Sequence, residues 1–290
     1  MLKTNQIRIR DPFILAEDGW YYMYGTTDKN AWRGKPEGFN AYRSRNLNDW
    51  EGPFQVFSCE GFWATMNYWA PEVHRYNGKY YMLASFKSES RCRGTQVLVS
   101  DTPLGNFLPL TEFPVTPPDW ECLDGTLWVE AGKPYMVFCH EWLQVRDGRI
   151  CAVELSGDLK TAVSAPVELF KASAAPWVAG IEHEDIKSGL VTDGPFIVRG
   201  RGKLIMIWSS YGKGGKYAIG QAVSSSLLDK WTHFKQPLFD DDGGHGMIFQ
   251  TFDNRTVLSI HAPNQTPNER PLFIDLTVSG DELLLKKTCI

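Results

Sequence analysis

Long apolar runs are absent from this 290-residue sequence, and none approaches the eighteen residues that a membrane-spanning helix needs. Residues 1–6 are largely polar and lead directly into residues 7–10, so the N-terminus lacks the apolar core of a secretion signal. From these absences we expect a cytoplasmic protein with no membrane partner.

A basic excess is missing as well. The chain has 30 Lys and Arg residues against 34 Asp and Glu residues, a formal net charge of −4, which disfavours a nucleic-acid partner. Its six cysteines form no CxxC pair and have no zinc-site spacing. No phosphate-binding loop, nucleophile–base triad spacing, or nicotinamide or flavin signature is present, so we expect no organic cofactor.

Aromatic and turn-forming residues are, in contrast, abundant. Aromatic side chains make up 13% of the sequence, which also holds 26 Gly and 17 Pro residues. With 43% apolar and 22% charged residues, the composition is that of a globular protein. Many turns between short aromatic runs favour strands over long helices.

A repeat organises these strands. Five segments each contain a polar turn, a short apolar strand, a Gly- or Asn-containing turn, and a second strand, usually aromatic, that tends to end in small polar residues. They begin at Asp11, Ala70, Asp124, Asp193 and Gly244, at separations of 59, 54, 69 and 51 residues. Hairpins that recur with a period near fifty are typical of β-propellers. We predict an all-β protein whose residues 1–290 form a single domain, a five-bladed propeller with four-stranded blades around a central channel.

The repeat also predicts where chemistry takes place. The first strand of each blade lines the channel of a propeller, so Asp11, Asp124 and Asp193 should converge there, with His245 from the fifth repeat. Crowded carboxylates shift one another's pKa values, as acid–base sites require. The alternative for each Asp is a turn residue that caps its own backbone.

At these positions the sequence resembles glycoside hydrolase family 43, from Arg10 to about Asn264. The resemblance lies in five anchors that occur in order, each opening one repeat: Arg10-Asp11-Pro12, Trp69-Ala70-Pro71-Glu72, Leu123-Asp124-Gly125, Asp193-Gly194-Pro195-Phe196 and Gly244-His245-Gly246.

The resemblance implies an inverting hydrolase with three catalytic carboxyl groups. Asp11 would be the general base that activates water, and Asp124 would orient the general acid and keep its pKa high. The family usually has Glu at the acid position, where this sequence has Asp193, whose side chain is shorter. Either the pocket is drawn in around Asp193, or a neighbouring carboxyl supplies the proton; the candidates are Glu141, Glu182 and Glu184.

From the same resemblance, further residues are expected to bind the substrate or a metal ion. Sugar rings stack on aromatic side chains, so Trp63, Trp69 and Trp128 are predicted to bind substrate, together with Arg10. His245 would hold a structural calcium ion at the channel centre through water; the alternative is a buried histidine bonded to backbone carbonyls.

The predicted substrates are oligosaccharides of the plant cell wall with α-L-arabinofuranosyl or β-D-xylosyl linkages. Two alternatives remain, a fructan-cleaving propeller hydrolase and a propeller that binds carbohydrate without cleaving it. The sequence leaves the oligomeric state open.

Overall fold

The computed structural model describes residues 1–29, 31–32, 34–184 and 186–286. Five antiparallel sheets are arranged as the blades of a propeller, which confirms the predicted fold class. The innermost strand of each blade contacts the innermost strands of the two neighbouring blades, so the ring is continuous. None of the helices in the described part of the chain has the length and apolar character needed to cross a bilayer.

Each blade is built from one continuous stretch of chain. Blade one holds β1 (Leu2–Lys3), β2 (Arg10–Glu17), β3 (Trp20–Thr26), β4 (Gly38–Ser44) and β5 (Asp49–Ser58). Blade two holds β6 (Met66–Tyr76), β7 (Lys79–Ser88), β8 (Arg91–Ser100) and β9 (Leu108–Pro109). Blade three holds β10 (Cys122–Glu130), β11 (Lys133–His140), β12 (Arg149–Glu154) and β13 (Val167–Lys171). Blade four holds β16 (Asp193–Arg199), β17 (Leu204–Tyr211), β18 (Tyr217–Ser224) and β19 (Thr232–His233). Blade five holds β20 (Gly244–Gln250), β21 (Thr256–Ala262), β22 (Arg270–Ser279) and β23 (Glu282–Leu285).

The remaining elements are short. A helical turn, α1 (Trp142–Val145), follows β11, and a hairpin of β14 (Ile181–His183) and β15 (Ile186–Gly189) precedes blade four. Two 3-10 turns lie at Thr4–Gln6 and Ala172–Ala174. Four large apolar clusters fill the spaces between neighbouring blades, which is where the alternating apolar residues of the strands are buried.

Every innermost strand has the same kink near its start. One residue adopts a left-handed backbone, and the strand pairing shifts register around it. The five residues are Asp11, Ala70, Asp124, Gly194 and His245, with φ values of 55°, 47°, 56°, 49° and 49°. Asp and His enter this conformation more readily than most side chains.

This register corrects one detail of the sequence repeat. Asp193 pairs with Ser209 in the way that Arg10 pairs with Thr26, so Asp193 precedes the kink and Gly194 occupies it. The repeat predicted that Asp193 is equivalent to Asp11 and Asp124. This prediction is wrong, because Asp193 lies one residue before the kink. The sequence repeat thus began its fourth and fifth segments, at Asp193 and Gly244, one residue too early. For Asp193 the reason is that Asp193-Gly194 and Asp124-Gly125 look alike.

Hydrogen bonds at the kinks join neighbouring blades. The amide of Ala70 donates to Thr26 Oγ1 at 2.9 Å, that of Asp124 to Ser85 Oγ at 2.9 Å, and that of His245 to Ser209 Oγ at 2.8 Å. Each acceptor lies near the end of the second strand of the preceding blade. The small polar residues seen in the sequence repeat thus satisfy buried amides between blades.

Blades one and five close the ring through side chains rather than a shared strand. The amide of Asp11 donates to His261 Nδ1 at 3.1 Å, and the Arg10 guanidinium donates to Glu269 Oε1 at 2.8 Å. The side chain of Glu269 is fully buried and that of Arg10 nearly so. Ser259 Oγ also donates to the carbonyl of Pro12 at 2.7 Å.

We expect Glu269→Gln to lower the free energy of unfolding by about 3 kcal/mol, because the change removes a buried carboxylate that pairs with Arg10 at 2.8 Å and lies 3.6 Å from Arg8. Chemical denaturation measures this effect. Glu154→Gln is the matched control, since Glu154 pairs with Lys133 at 3.1 Å at the surface of a blade, where the loss should stay within about 0.5 kcal/mol. Equal losses in the two variants would contradict a closing role for the buried pair.

Candidate active site

The innermost strands of blades one, three and five bring Asp11, Asp124 and His245 together. His245 Nδ1 lies 3.4 Å from Asp11 Oδ1 and 3.6 Å from Asp124 Oδ2, and all three side chains are nearly buried. Burial acts against a charged imidazole, but the carboxyl groups around His245 raise its pKa above the usual value. His245 therefore favours the cationic form between two acidic side chains.

Asp11 is held as a carboxylate. Burial acts to raise its pKa, but the charge of His245, the interactions with His261 and Arg10, and a hydrogen bond from Thr26 Oγ1 outweigh burial and lower it. The Thr26 hydroxyl donates to Asp11 Oδ2 at 2.6 Å. Asp11 is thus oriented and ionised, as a general base must be.

The hydrogen bonds around His261 define its tautomer. Nδ1 accepts the amide of Asp11, so the ring proton lies on Nε2, which is 3.2 Å from Asn264 Oδ1. Burial, with the nearby Arg10 charge, lowers the pKa of His261 to about 3, which keeps the ring neutral. Arg10 Nη2 donates to the same Asn264 oxygen at 2.7 Å.

Asp124 and Asp193 have the opposite character to Asp11. Burial and the charges of Asp193 and Asp11 raise the pKa of Asp124 to about 8, against the opposing effect of His245. Burial and the charge of Asp11 also raise the pKa of Asp193, against the effects of His245 and a hydrogen bond from Tyr217. The Tyr217 hydroxyl donates to Asp193 Oδ2 at 2.8 Å.

A cavity of 330 Å³ opens beside this cluster. Its lining includes Asp193 with Tyr211 and Tyr217 of blade four, and Arg10 and Trp32 of blade one. Asn264, Gln265 and Thr266 of blade five complete it. Trp32 Nε1 donates to Thr266 Oγ1 at 3.3 Å, so the loops of blades one and five meet above the cavity.

The predicted sugar-binding residues are distributed unevenly. Arg10 lines the cavity, and the Trp69 ring lies 5.2 Å from that of Trp32, edge to face. Trp63 instead packs on Phe62 and Phe113 in blade two.

Trp128 lies four residues beyond Asp124 on β10, at 4.9 Å from the Arg199 guanidinium. Neither Trp63 nor Trp128 is among the described residues that line the cavity. Trp69 is not among them either, and substrate contact by all four predicted residues remains a prediction.

The three alternative acids also differ in position. Glu141 is buried, forms an ion pair with Arg93, and has its pKa raised by burial and by the charges of Glu121 and Asp193, although Arg93 opposes this. Glu182 and Glu184 are exposed on the β14–β15 hairpin. Only Glu141 among them is linked electrostatically to the acidic cluster in the described part of the chain.

Sequence reasoning missed several residues of the site: Trp32, Tyr211, Tyr217, His261, Asn264 and Glu269. His261 had a detectable signal, because it lies near the end of the second strand of the fifth repeat, at a position where three of the other four repeats have Thr or Ser. The others lie in loops or at strand ends outside the repeated positions, so no periodicity marks them.

The donor set does not fit a calcium ion held by protein oxygens. No three His, Cys, Asp or Glu side chains among the described residues are arranged to bind a metal. Calcium takes six to eight oxygen ligands, whereas the space between Asp11 and Asp124 faces the Nδ1 atom of His245. Calcium bound through water therefore remains a prediction.

Comparisons with known proteins identify the family and agree with the fold. The crystal structure of an endo-arabinase from Bacteroides thetaiotaomicron is 41% identical, with a TM-score of 0.90 over 96% of this chain and 98% of that one. An endo-1,4-beta-xylanase from the same organism is 24% identical, with a TM-score of 0.80 over 99% and 97% of the chains, a likeness that shows the fold alone. An extracellular exo-alpha-(1->5)-L-arabinofuranosidase from Streptomyces avermitilis is 22% identical over 200 residues, which are 65% of this chain and 40% of that relative. The model of glycosyl hydrolases family 43 matches residues 4–281, and the chain belongs to that family.

Proposed function

We propose that this protein hydrolyses α-L-arabinofuranosyl or β-D-xylosyl linkages in plant cell-wall oligosaccharides, with inversion at the anomeric carbon. Asp11 removes a proton from the attacking water, and Asp193 protonates the leaving oxygen. In an inverting hydrolase the base and the acid act on opposite faces of the sugar ring.

One observation carries the proposal: a single buried cluster holds Asp11 with a lowered pKa and Asp193 with a raised one. Glycoside hydrolysis needs one ionised and one protonated carboxyl at the same pH. The charge of His245 and the hydrogen bond from Thr26 favour the carboxylate of Asp11, whereas burial and the charge of Asp11 favour the acid form of Asp193.

Asp124 supports both groups in this scheme. His245 Nδ1 lies near both Asp124 and Asp11, and Asp124 interacts electrostatically with Tyr217, whose hydroxyl donates to Asp193. Because the pKa of Asp124 is raised to about 8, this carboxyl is protonated near neutral pH and adds no second negative charge beside the Asp11 carboxylate.

Product analysis tests the function. Wild-type protein and Asp11→Ala are incubated with arabino- and xylo-oligosaccharides, and the products are separated by chromatography. Sugar release by the wild type alone supports the proposal, and the product identifies the sugar. Binding of sugar without release by either protein would favour the non-catalytic alternative.

Trp32 supplies a second test of the cavity. The side chain is 51% exposed, and its ring lies 5.0 Å from the Arg10 guanidinium and 5.2 Å from the Trp69 ring. We expect Trp32→Ala to raise KM by about tenfold, because the change removes an apolar wall on which a sugar ring stacks. Steady-state kinetics with the released-sugar assay measure it.

The matched control is Phe252→Ala, since Phe252 is 49% exposed but follows β20 at the end of the strand opposite His245. Its KM should stay within about twofold of the wild type. A similar rise in both variants would show that Trp32 does not form part of the sugar site.

A further inference from the structure

The hydrogen-bond pattern between blades is broken at one place. At four of the five junctions, the kinked residue of one blade donates its amide to a side chain on the second strand of the preceding blade. The four acceptors, each paired with the residue before a kink, are Thr26, Ser85, Ser209 and His261.

The fifth junction joins blade three to blade four. Cys139 pairs with Leu123, which places it at the acceptor position of blade three. A cysteine sulfur is a weak acceptor compared with a hydroxyl or an imidazole nitrogen. The amide of Gly194 donates instead to Asp124 Oδ2, at 3.0 Å.

We propose that Cys139 is a positioning residue: because it offers no hydroxyl, the Gly194 amide is left to hold the Asp124 carboxyl in the catalytic cluster. The kinetic part of this inference rests on the proposed function, whereas its structural part does not.

Glycine is required at the kink of blade four. The backbone of Gly194 has φ of +49°, and a β-carbon there would lie 2.8 Å from His245 Cδ2, so a larger residue would be strained and would crowd the imidazole. The backbone of Asp124 is held separately by Ser85. The Gly194 amide therefore sets the direction of the Asp124 side chain, which shares His245 with Asp11.

Cys139 itself has no visible reactive role. Its side chain is fully buried, and burial together with the charges of Asp124 and Asp193 raises its pKa well above the usual value, so it stays a neutral thiol. Cysteine at this position is explained by its weakness as an acceptor: it does not take the hydrogen bond of the Gly194 amide, whereas the acceptors at the other four junctions take the equivalent bond.

The test compares Cys139→Ser with Cys139→Ala. The serine hydroxyl restores the acceptor found at the other junctions and draws the Gly194 amide away from Asp124. We expect kcat to fall on the order of ten- to a hundredfold with KM nearly unchanged. Alanine adds no acceptor, so kcat should stay within about threefold of the wild type.

A larger loss of kcat in Cys139→Ser than in Cys139→Ala is the reverse of what packing alone predicts, because serine is closer to cysteine in volume than alanine is. Cys151→Ser is the control, since Cys151 is buried in the neighbouring strand of the same blade. Full activity of Cys139→Ser, or an equal loss in Cys139→Ala, would overturn the proposal.

A crystal structure of Cys139→Ser gives a readout that does not depend on activity. We expect the introduced hydroxyl within 3.2 Å, about the ordinary hydrogen-bond limit, of the Gly194 nitrogen, and Asp124 Oδ2 displaced from it. An unchanged bond from Gly194 to Asp124 would refute the inference even if the protein hydrolysed none of the sugars tested. Absence of hydrolysis by the wild type would instead count against the proposed function.

Discussion

Replacement of Asp11 by asparagine is expected to lower kcat on the order of 10³-fold on every substrate, whether its leaving group is a sugar or an activated phenol. The reason is that Asp11 acts on water, and the need to activate water does not depend on the leaving group. Asparagine accepts the bond from Thr26 and tolerates the left-handed backbone, so the site should keep its shape.

Asp18→Asn is the matched control, because Asp18 also lies in blade one and has a left-handed backbone, with φ of 48°. Its kcat should equal that of the wild type. Residual activity of Asp11→Asn above about a tenth of the wild-type value would rule out Asp11 as the base. Added azide does not need activation, so it should restore turnover in Asp11→Asn by attacking the anomeric carbon directly.

Asp193→Asn should show a loss that depends on the leaving group. We expect kcat on natural oligosaccharides to fall on the order of 10³-fold, whereas kcat on an aryl glycoside with an acidic phenol should stay within about tenfold. An acidic phenol departs as an anion and needs no proton, so the absence of the acid matters little. Paired assays of both substrate types measure the difference.

Glu141→Gln is the informative comparison, because Glu141 is the buried carboxyl that the charge of Asp193 also reaches. If Glu141 were the acid, its variant would show the leaving-group dependence and Asp193→Asn would not. Equal losses on both substrate types in Asp193→Asn would also contradict its role as the acid.

The pH profile gives an independent check of the same assignment. The pKa of Asp11 is lowered, so activity should be lost only as the pH falls below the ordinary carboxyl range. The pKa of Asp193 is raised, so activity should be lost as the pH rises through a value above that range. In Asp193→Asn with an activated substrate, the alkaline limb of the profile should disappear.

The fold was predictable because a propeller repeats its signal. Five hairpins with similar turns identify the blades without any knowledge of contacts, and the family resemblance added the order of the anchors. The register of Asp193 was not predictable, because Asp is followed by Gly in both the third and the fourth repeat. The kink lies at the Asp in the third repeat and at the Gly in the fourth, and the sequence does not distinguish the two cases.

The site was predictable only where it coincides with the repeat. Asp11, Asp124 and His245 occupy repeated positions, so their convergence follows from symmetry around the channel. Trp32 and Tyr217 reach the cavity from a loop and from a strand end, where position depends on tertiary packing. The pKa values also depend on that packing, since burial is the largest influence on each member of the cluster.

Closure of the ring by side chains has a consequence for how the protein matures on the ribosome. Asp11 emerges in the first sheet to be synthesised, whereas its partner His261 is made 250 residues later. Sheets built from local chain can form as they emerge, but contacts across so long a separation form late. In a nascent chain with four folded blades, Asp11 therefore lacks the contacts with His245 and His261 that lower its pKa. The site becomes competent for catalysis only when blade five docks against blade one.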